Sequence, residues 1–77
     1  MPRQMLMPKL DERESDATLA NWLVAVGDSV HEGVSVVAVE TDKVTVDVEA
    51  TVDGQVTCLL AKPGDVIKVG QPILEVQ

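Results

Sequence analysis

Between Val44 and Glu49 the chain changes character at every residue. Val44, Val46 and Val48 alternate with Thr45, Asp47 and Glu49. This is the period of a strand with one face on a core and the other in water. It predicts a strand over Val44–Ala50, and apolar runs bounded by turn residues predict others over Gln4–Met7, Ala17–Val26, Val36–Glu40, Gly54–Lys62 and Ile73–Gln77. Gly27-Asp28, Glu32-Gly33, Asp53-Gly54, Pro63-Gly64-Asp65 and Gly70-Gln71-Pro72 signal the turns between them. No stretch has the pattern of a helix. Fifteen valines, two isoleucines and five threonines make 22 of the 77 residues β-branched, which favours pleated, half-buried strands. The expected fold class is all-β.

Sliding the chain on itself by 37 residues exposes an internal repeat, Asp16–Glu40 onto Asp53–Gln77. Asp16 meets Asp53, Leu23 meets Leu60, Gly27-Asp28 meet Gly64-Asp65, Gly33 meets Gly70 and Val39 meets Val76. Neither copy of such a strand-turn-strand unit can bury an apolar face alone. Two copies are expected to pack about a pseudo-two-fold axis as a flattened barrel or sandwich. Extending the register sets Leu6 opposite Lys43 and Gln77 opposite Glu40, so the chain ends are expected together at one end and the Glu40–Lys43 connection at the other. Val39 and Val76 then lie at equivalent depth in a common core.

At 77 residues the chain is expected to form one domain, 1–77, small enough to depend on regular packing. A lone Cys58 excludes an internal disulfide, and one His31 with one cysteine cannot close a zinc site. Neither an apolar run of membrane-spanning length nor a charged-then-apolar leader is present, so neither membrane insertion nor secretion is expected. Thirteen acidic residues against six basic give a net charge of −7, and Trp22 is the sole aromatic. Nucleic-acid binding therefore lacks both its basic surface and its stacking side chains. The acidic surface could instead steer a basic rim on a protein partner.

Candidate chemistry is sparse. Glu40, Thr41, Asp42 and Lys43 form a connection of hairpin length between the apolar strand ends Val39 and Val44, which puts Lys43 at a tip. A lysine there can simply keep the loop soluble and block edge pairing, and an exposed ammonium alone is a poor nucleophile. Cys58 lies mid-strand with no cation nearby to favour a thiolate and reads as a packing residue. His31 reads as a turn residue, Trp22 as a partly buried strand residue filling core volume.

Gly-Asp-x-Val at Gly27–Val30, Val-Glu-Thr-Asp-Lys-Val at Val39–Val44, Glu49-Ala50, Asp53-Gly54 and Val69-Gly70-Gln71-Pro72 resemble the lipoyl domain of 2-oxoacid dehydrogenase acyltransferase components, a member of the biotinyl/lipoyl carrier family. The resemblance covers nearly the whole chain. It implies a flattened barrel of two four-stranded sheets with quasi-two-fold symmetry, matching the arrangement reached from the repeat. It also implies that Lys43 receives lipoic acid through an amide bond. Glu40 resembles the position that helps the lipoylating enzyme choose this lysine, and Asp42 and Val44 define the hairpin and present the cofactor. Gly54, eleven residues after the lysine, is expected as a turn glycine with an indirect effect on hairpin placement.

By the same resemblance the domain catalyses nothing itself. It is a swinging-arm carrier of acyl groups and reducing equivalents within a 2-oxoacid or acetoin dehydrogenase complex. The implied partners are a lipoate ligase or lipoyl transferase, a thiamine-diphosphate-dependent dehydrogenase, an acyltransferase catalytic domain and the flavoprotein dihydrolipoyl dehydrogenase. The implied compartment is the bacterial cytoplasm or the mitochondrial matrix. The acidic stretch Asp11–Asp16 departs from the Gly or Glu-Gly common in the family, in a loop that contributes to recognition by the decarboxylating partner. Two alternatives share the fold: a biotin carrier domain of a carboxylase, in which methionines typically flank the lysine where this chain has Asp42 and Val44, and an unmodified structural or interaction module.

Overall fold

The β-branched runs fold into eight strands in a computed structural model that describes residues 3–9 and 16–77. They are β1 (Arg3–Leu6), β2 (Ala17–Trp22), β3 (Ser29–Val30), β4 (Ser35–Glu40), β5 (Thr45–Glu49), β6 (Gly54–Leu59), β7 (Val66–Ile67) and β8 (Pro72–Val76). Two antiparallel four-stranded sheets result, in the orders β1-β8-β6-β3 and β5-β4-β2-β7. The all-β, two-sheet expectation holds. Each sheet draws strands from both copies of the repeat.

The pseudo-two-fold is visible in the irregularities. The β2–β4 ladder skips Ala20 and the β6–β8 ladder skips Thr57, bulges that lie 37 residues apart. Two turns repeat equally closely. The Asp28 amide donates to the Ala25 carbonyl at 3.0 Å while its carboxylate accepts from the Ala25 amide at 2.9 Å, and Asp65 does both with Lys62 at the same distances. Gly27 and Gly64 precede these aspartates with φ of 100° and 95°, a backbone that other residues seldom adopt. This is why Gly-Asp recurs in both copies.

In the strand framework, three expectations are corrected. Strands β3 and β7 were not predicted, because two residues are too few to show an alternation. The strands expected to reach Val26 and Lys62 stop at Trp22 and Leu59, where the chain leaves one sheet for a turn that leads it to the other. Finally, Leu6 does not match Lys43. Met5 pairs with Leu74 and Val48 with Val37, so Met5 and Val48 are the equivalent residues, 43 apart rather than 37. The cause is loop length: ten residues, 7–16, join β1 to β2, whereas four, 50–53, join β5 to β6. The acidic stretch 11–15 falls in the longer connection and lies outside the described residues.

The poles are as expected. Arg3 pairs with Val76, and Gln55 exchanges two backbone hydrogen bonds with Gln77, so the first described residue and the last strand meet beside the start of β6. The Glu40–Thr45 pair closes the ladder at the other pole, and β5 carries the chain from there towards the ends.

The core is aliphatic. Met5, Leu19, Val30, Val37, Val48, Val56, Ile67, Ile73 and Leu74 are each at most 2% exposed. Trp22 is half-buried against this cluster and donates its indole N–H to the Ala61 carbonyl at 2.9 Å, as its sequence reading expected. Cys58 is half-buried on β6, and His31 lends its carbonyl to the Val34 amide in a turn.

Val39 and Val76 are 1% and 0% exposed, at matched places in the two halves. Val39→Ala and Val76→Ala are each expected to cost about 1–3 kcal/mol through lost burial and an incompletely collapsed cavity. Denaturant midpoints check this, and strongly unequal losses would contradict the equivalence of the halves.

Candidate functional site

The hairpin between β4 and β5 is where the scaffold runs out of core. Along β5 the alternation predicted an inward face of Val44, Val46 and Val48. Val48 is buried, Val46 half-buried, and Val44 lies outside the strand with 58% of its surface exposed. Among the described residues no second layer covers the end of the sheet at that point. Beyond Glu40 and Thr45 the chain projects as four residues, Thr41, Asp42, Lys43 and Val44, of which Thr41 is half-buried and the other three are exposed.

These four residues hold their own shape. The Thr41 amide donates to the Val44 carbonyl at 2.8 Å. The Thr41 hydroxyl donates to the same carbonyl at 3.0 Å and accepts from the amides of Lys43 and Val44 at 3.3 and 3.2 Å. Among the described residues no non-glycine residue has a positive φ, so the tip turns without backbone strain. Thr41 was not among the residues singled out from sequence, although a threonine opening a four-residue connection is a known local capping signal.

The structure brings together four of the five residues that the sequence analysis selected. Glu40 closes the strand, exposed, next to Thr45 on one side and Thr18 on the other. Asp42, Lys43 and Val44 follow on the tip. Lys43 is the only lysine or arginine between Arg13 and Lys62, whereas Glu40, Asp42, Asp47 and Glu49 surround it in sequence. Among the described residues no group of histidines, cysteines and carboxylates could hold a metal ion. A shallow groove of about 290 Å³ lies along the distal half of β5, lined by Pro8 and Asp47–Thr51, away from Lys43. The chemistry on offer is a single primary amine on a protruding, self-braced turn.

Gly54 is set apart from these residues. It opens β6 instead of lying in a turn, pairs with Val30, and stands beside the C-terminal strand at the opposite pole. Its φ is +146°, and a Cβ there would lie 2.7 Å from the Gln77 carbonyl oxygen and 3.1 Å from Val76 Cβ. The glycine is required by close approach of two backbones.

The family model described as biotin-requiring enzyme matches residues 3–76. The chain belongs to this family of biotinyl/lipoyl carrier domains. Among curated relatives, the dihydrolipoyllysine-residue succinyltransferase component of the 2-oxoglutarate dehydrogenase complex of Staphylococcus saprophyticus is 44% identical over 70 residues, 91% of this chain and 16% of that protein. The chain thus spans about one-sixth of that relative's length. The solution structure of the lipoyl domain of the Azotobacter vinelandii 2-oxoglutarate dehydrogenase complex superposes with a TM-score of 0.70 at 25% identity, covering 97% of this chain and 96% of that domain. Urea carboxylase of Kluyveromyces lactis contains the same fold, with a TM-score of 0.79 and 26% identity over all of this chain and 6% of that one. The expected likeness to lipoyl domains therefore holds, and with it a carrier role rather than a catalytic one. No helix among the described residues is long and apolar enough to cross a membrane.

Gly54→Ala is expected to destabilise this carrier domain by more than about 1 kcal/mol, since both the φ and the Gln77 carbonyl oppose a side chain. Because Gly54 is remote from the hairpin, amide exchange at Lys43 and Val44 should stay unchanged under conditions where the variant is folded. Urea titration and site-resolved hydrogen exchange measure the two effects.

Proposed function

We propose that residues 1–77 form one swinging-arm domain carrying lipoic acid in amide linkage to Lys43, and that it serves a 2-oxoacid dehydrogenase complex. The observation that carries this reading is an exposed lysine on a braced, projecting hairpin in a family defined by covalent cofactor attachment. A lipoyl group, when bound, supplies a dithiolane for acyl and electron carriage. The chain supplies everything else. Lys43 offers its amine nitrogen to an activated lipoyl carbonyl; the N–C bond forms, the activating group leaves with its bonding pair, and the nitrogen gives up two of the three protons of the ammonium and keeps one as the amide N–H. Amide formation removes the one positive charge of Lys43, taking the net charge from −7 to −8. The hairpin then faces its partners with carboxylates alone.

In this reading Glu40 marks the acceptor lysine for the lipoate ligase or lipoyl transferase, and Asp42 and Val44 frame the attachment point. Gly54 contributes only through the integrity of the opposite pole. Tethering keeps the carried group at high effective concentration near successive active sites. Those sites belong to a thiamine-diphosphate-dependent dehydrogenase, an acyltransferase catalytic domain and dihydrolipoyl dehydrogenase, in the bacterial cytoplasm or the mitochondrial matrix. The similarity to a succinyltransferase component of a 2-oxoglutarate dehydrogenase complex supports this kind of assembly.

Incubation with a lipoate ligase, lipoate and ATP should add one lipoyl group, read by intact mass and located by peptide mapping at Lys43. A biotinyl adduct formed by a biotin ligase in its place would favour the carboxylase alternative, and no adduct at all would favour an unmodified module. Lys43→Arg keeps the charge but not the acylatable amine and should abolish the adduct. Full modification of that variant at Lys9, Lys62 or Lys68 would refute the assignment. Glu40→Gln should slow lipoylation or reduce its fidelity while leaving stability within about 0.5 kcal/mol. Unchanged rates together with unchanged urea midpoints would leave Glu40 an ordinary surface carboxylate.

A further inference from the structure

The acceptor tip contains neither glycine nor proline, and its last three residues are exposed, so neither chain stiffness nor core packing fixes its shape. Among the described residues, one side chain makes three of the four hydrogen bonds that brace it. A threonine hydroxyl has one hydrogen to donate and two lone pairs to accept with. At Thr41 all three are used inside the turn: the hydrogen on the Val44 carbonyl at 3.0 Å, the lone pairs on the amides of Lys43 and Val44 at 3.3 and 3.2 Å. The backbone adds one bond across the turn, from the Thr41 amide to that same carbonyl. Removing the hydroxyl would leave two adjacent amides, one of them on the acceptor lysine itself, to find water instead.

We propose that Thr41 is a positioning residue for the modification of Lys43. Its hydroxyl fixes the backbone from which the lysine side chain departs, and so sets the population of hairpins that can place the amine against an activated acyl carbon. The proposal rests on the reading of Lys43 as the acceptor. A modifying enzyme that recognises one tip geometry binds an ensemble of tips more weakly, in proportion to the competent fraction. Once the amine is seated, the acyl transfer is the same for every variant. The effect therefore belongs in KM and not in kcat. Thr41 never touches the acyl group; it acts through the position of Lys43.

The test uses the full chain with Thr41→Val, which preserves shape and removes the hydroxyl, and Thr41→Ser, which restores it. Initial rates of lipoylation by a lipoate ligase with lipoate and ATP are measured by intact mass against domain concentration. Site-resolved amide exchange is recorded on the unmodified proteins. Thr41→Val should raise KM about tenfold, the scale set by losing two amide hydrogen bonds, with kcat within about twofold. It should also speed exchange at Lys43 and Val44 while leaving Val39 and Val76 protected. Thr41→Ser should return both KM and exchange to the parent values. A modified parent protein with an unaffected Thr41→Val variant would overturn this proposal alone. So would a serine variant as impaired as valine, since the hydroxyl would then not be the cause. A parent protein that accepts no lipoyl group would overturn the Lys43 reading and this proposal with it.

Discussion

Everything in this molecule hangs on a reciprocal exchange between its two halves. The Leu19 carbonyl and amide bond to Gly64 and Asp65, and the Val56 carbonyl and amide bond to Gly27 and Asp28, each pair at 2.8 Å. The turn of either half is thus suspended from a central strand of the other, and the two-residue strands β3 and β7 extend that grip into both sheets. Neither half could keep this arrangement alone, since its turn would lose its anchor and its strands their facing layer. In a domain with a single cysteine and, among the described residues, no cluster that could hold a metal ion, this mutual dependence makes a short repeat into one cooperative body.

A consequence of that economy is a division of labour along the molecule. Its interior is spent on the sheets, with Met5, Leu74, Val37 and Val48 filling equivalent places. The burial of β5 then fades residue by residue towards the hairpin, from Val48 through Val46 to Val44. The working end consequently takes its order from local hydrogen bonds. A tip braced by a hydroxyl can project fully into water, where a partner's active site can surround it, because it needs no neighbouring layer to hold its shape. The loss of the single cation on that tip leaves the backbone brace untouched, since Thr41 engages amides and a carbonyl, never the lysine amine.

Much of this was legible in the sequence, and the gaps have identifiable causes. Alternation from Val44 to Glu49 gave the strand and its face, and Gly-Asp recurring at a fixed interval gave the symmetry, because a turn with positive φ and a carboxylate cap tolerates few substitutes. The lysine's place on a tip followed from the shortness of the connection. The equivalence of β1 and β5 was hidden. Arg3-Gln4-Met5-Leu6 and Val46-Asp47-Val48-Glu49 share no residue in register, and an unequal loop shifts their spacing. Gly54 looked like a turn residue because Asp-Gly usually is one, whereas its true constraint is a carbonyl 23 positions further along the chain. Thr41 was overlooked because its importance lies in three bonds of one oxygen, which residue type suggests but only geometry displays.

The matched poles carry a topological implication. Gln77 stands to the β8–β1 edge as Glu40 stands to the β4–β5 edge, and one pole is closed by four residues of hairpin while the other is open between paired strands. The hydrogen-bonded framework does not distinguish a bridged pole from a severed one. The order of strands along the chain is therefore less decisive than their pairing. A chain sealed across Gln77 and Arg3 and cut within the hairpin would trace the same two sheets as a circular permutant, with the attachment point exchanged for a pair of ends.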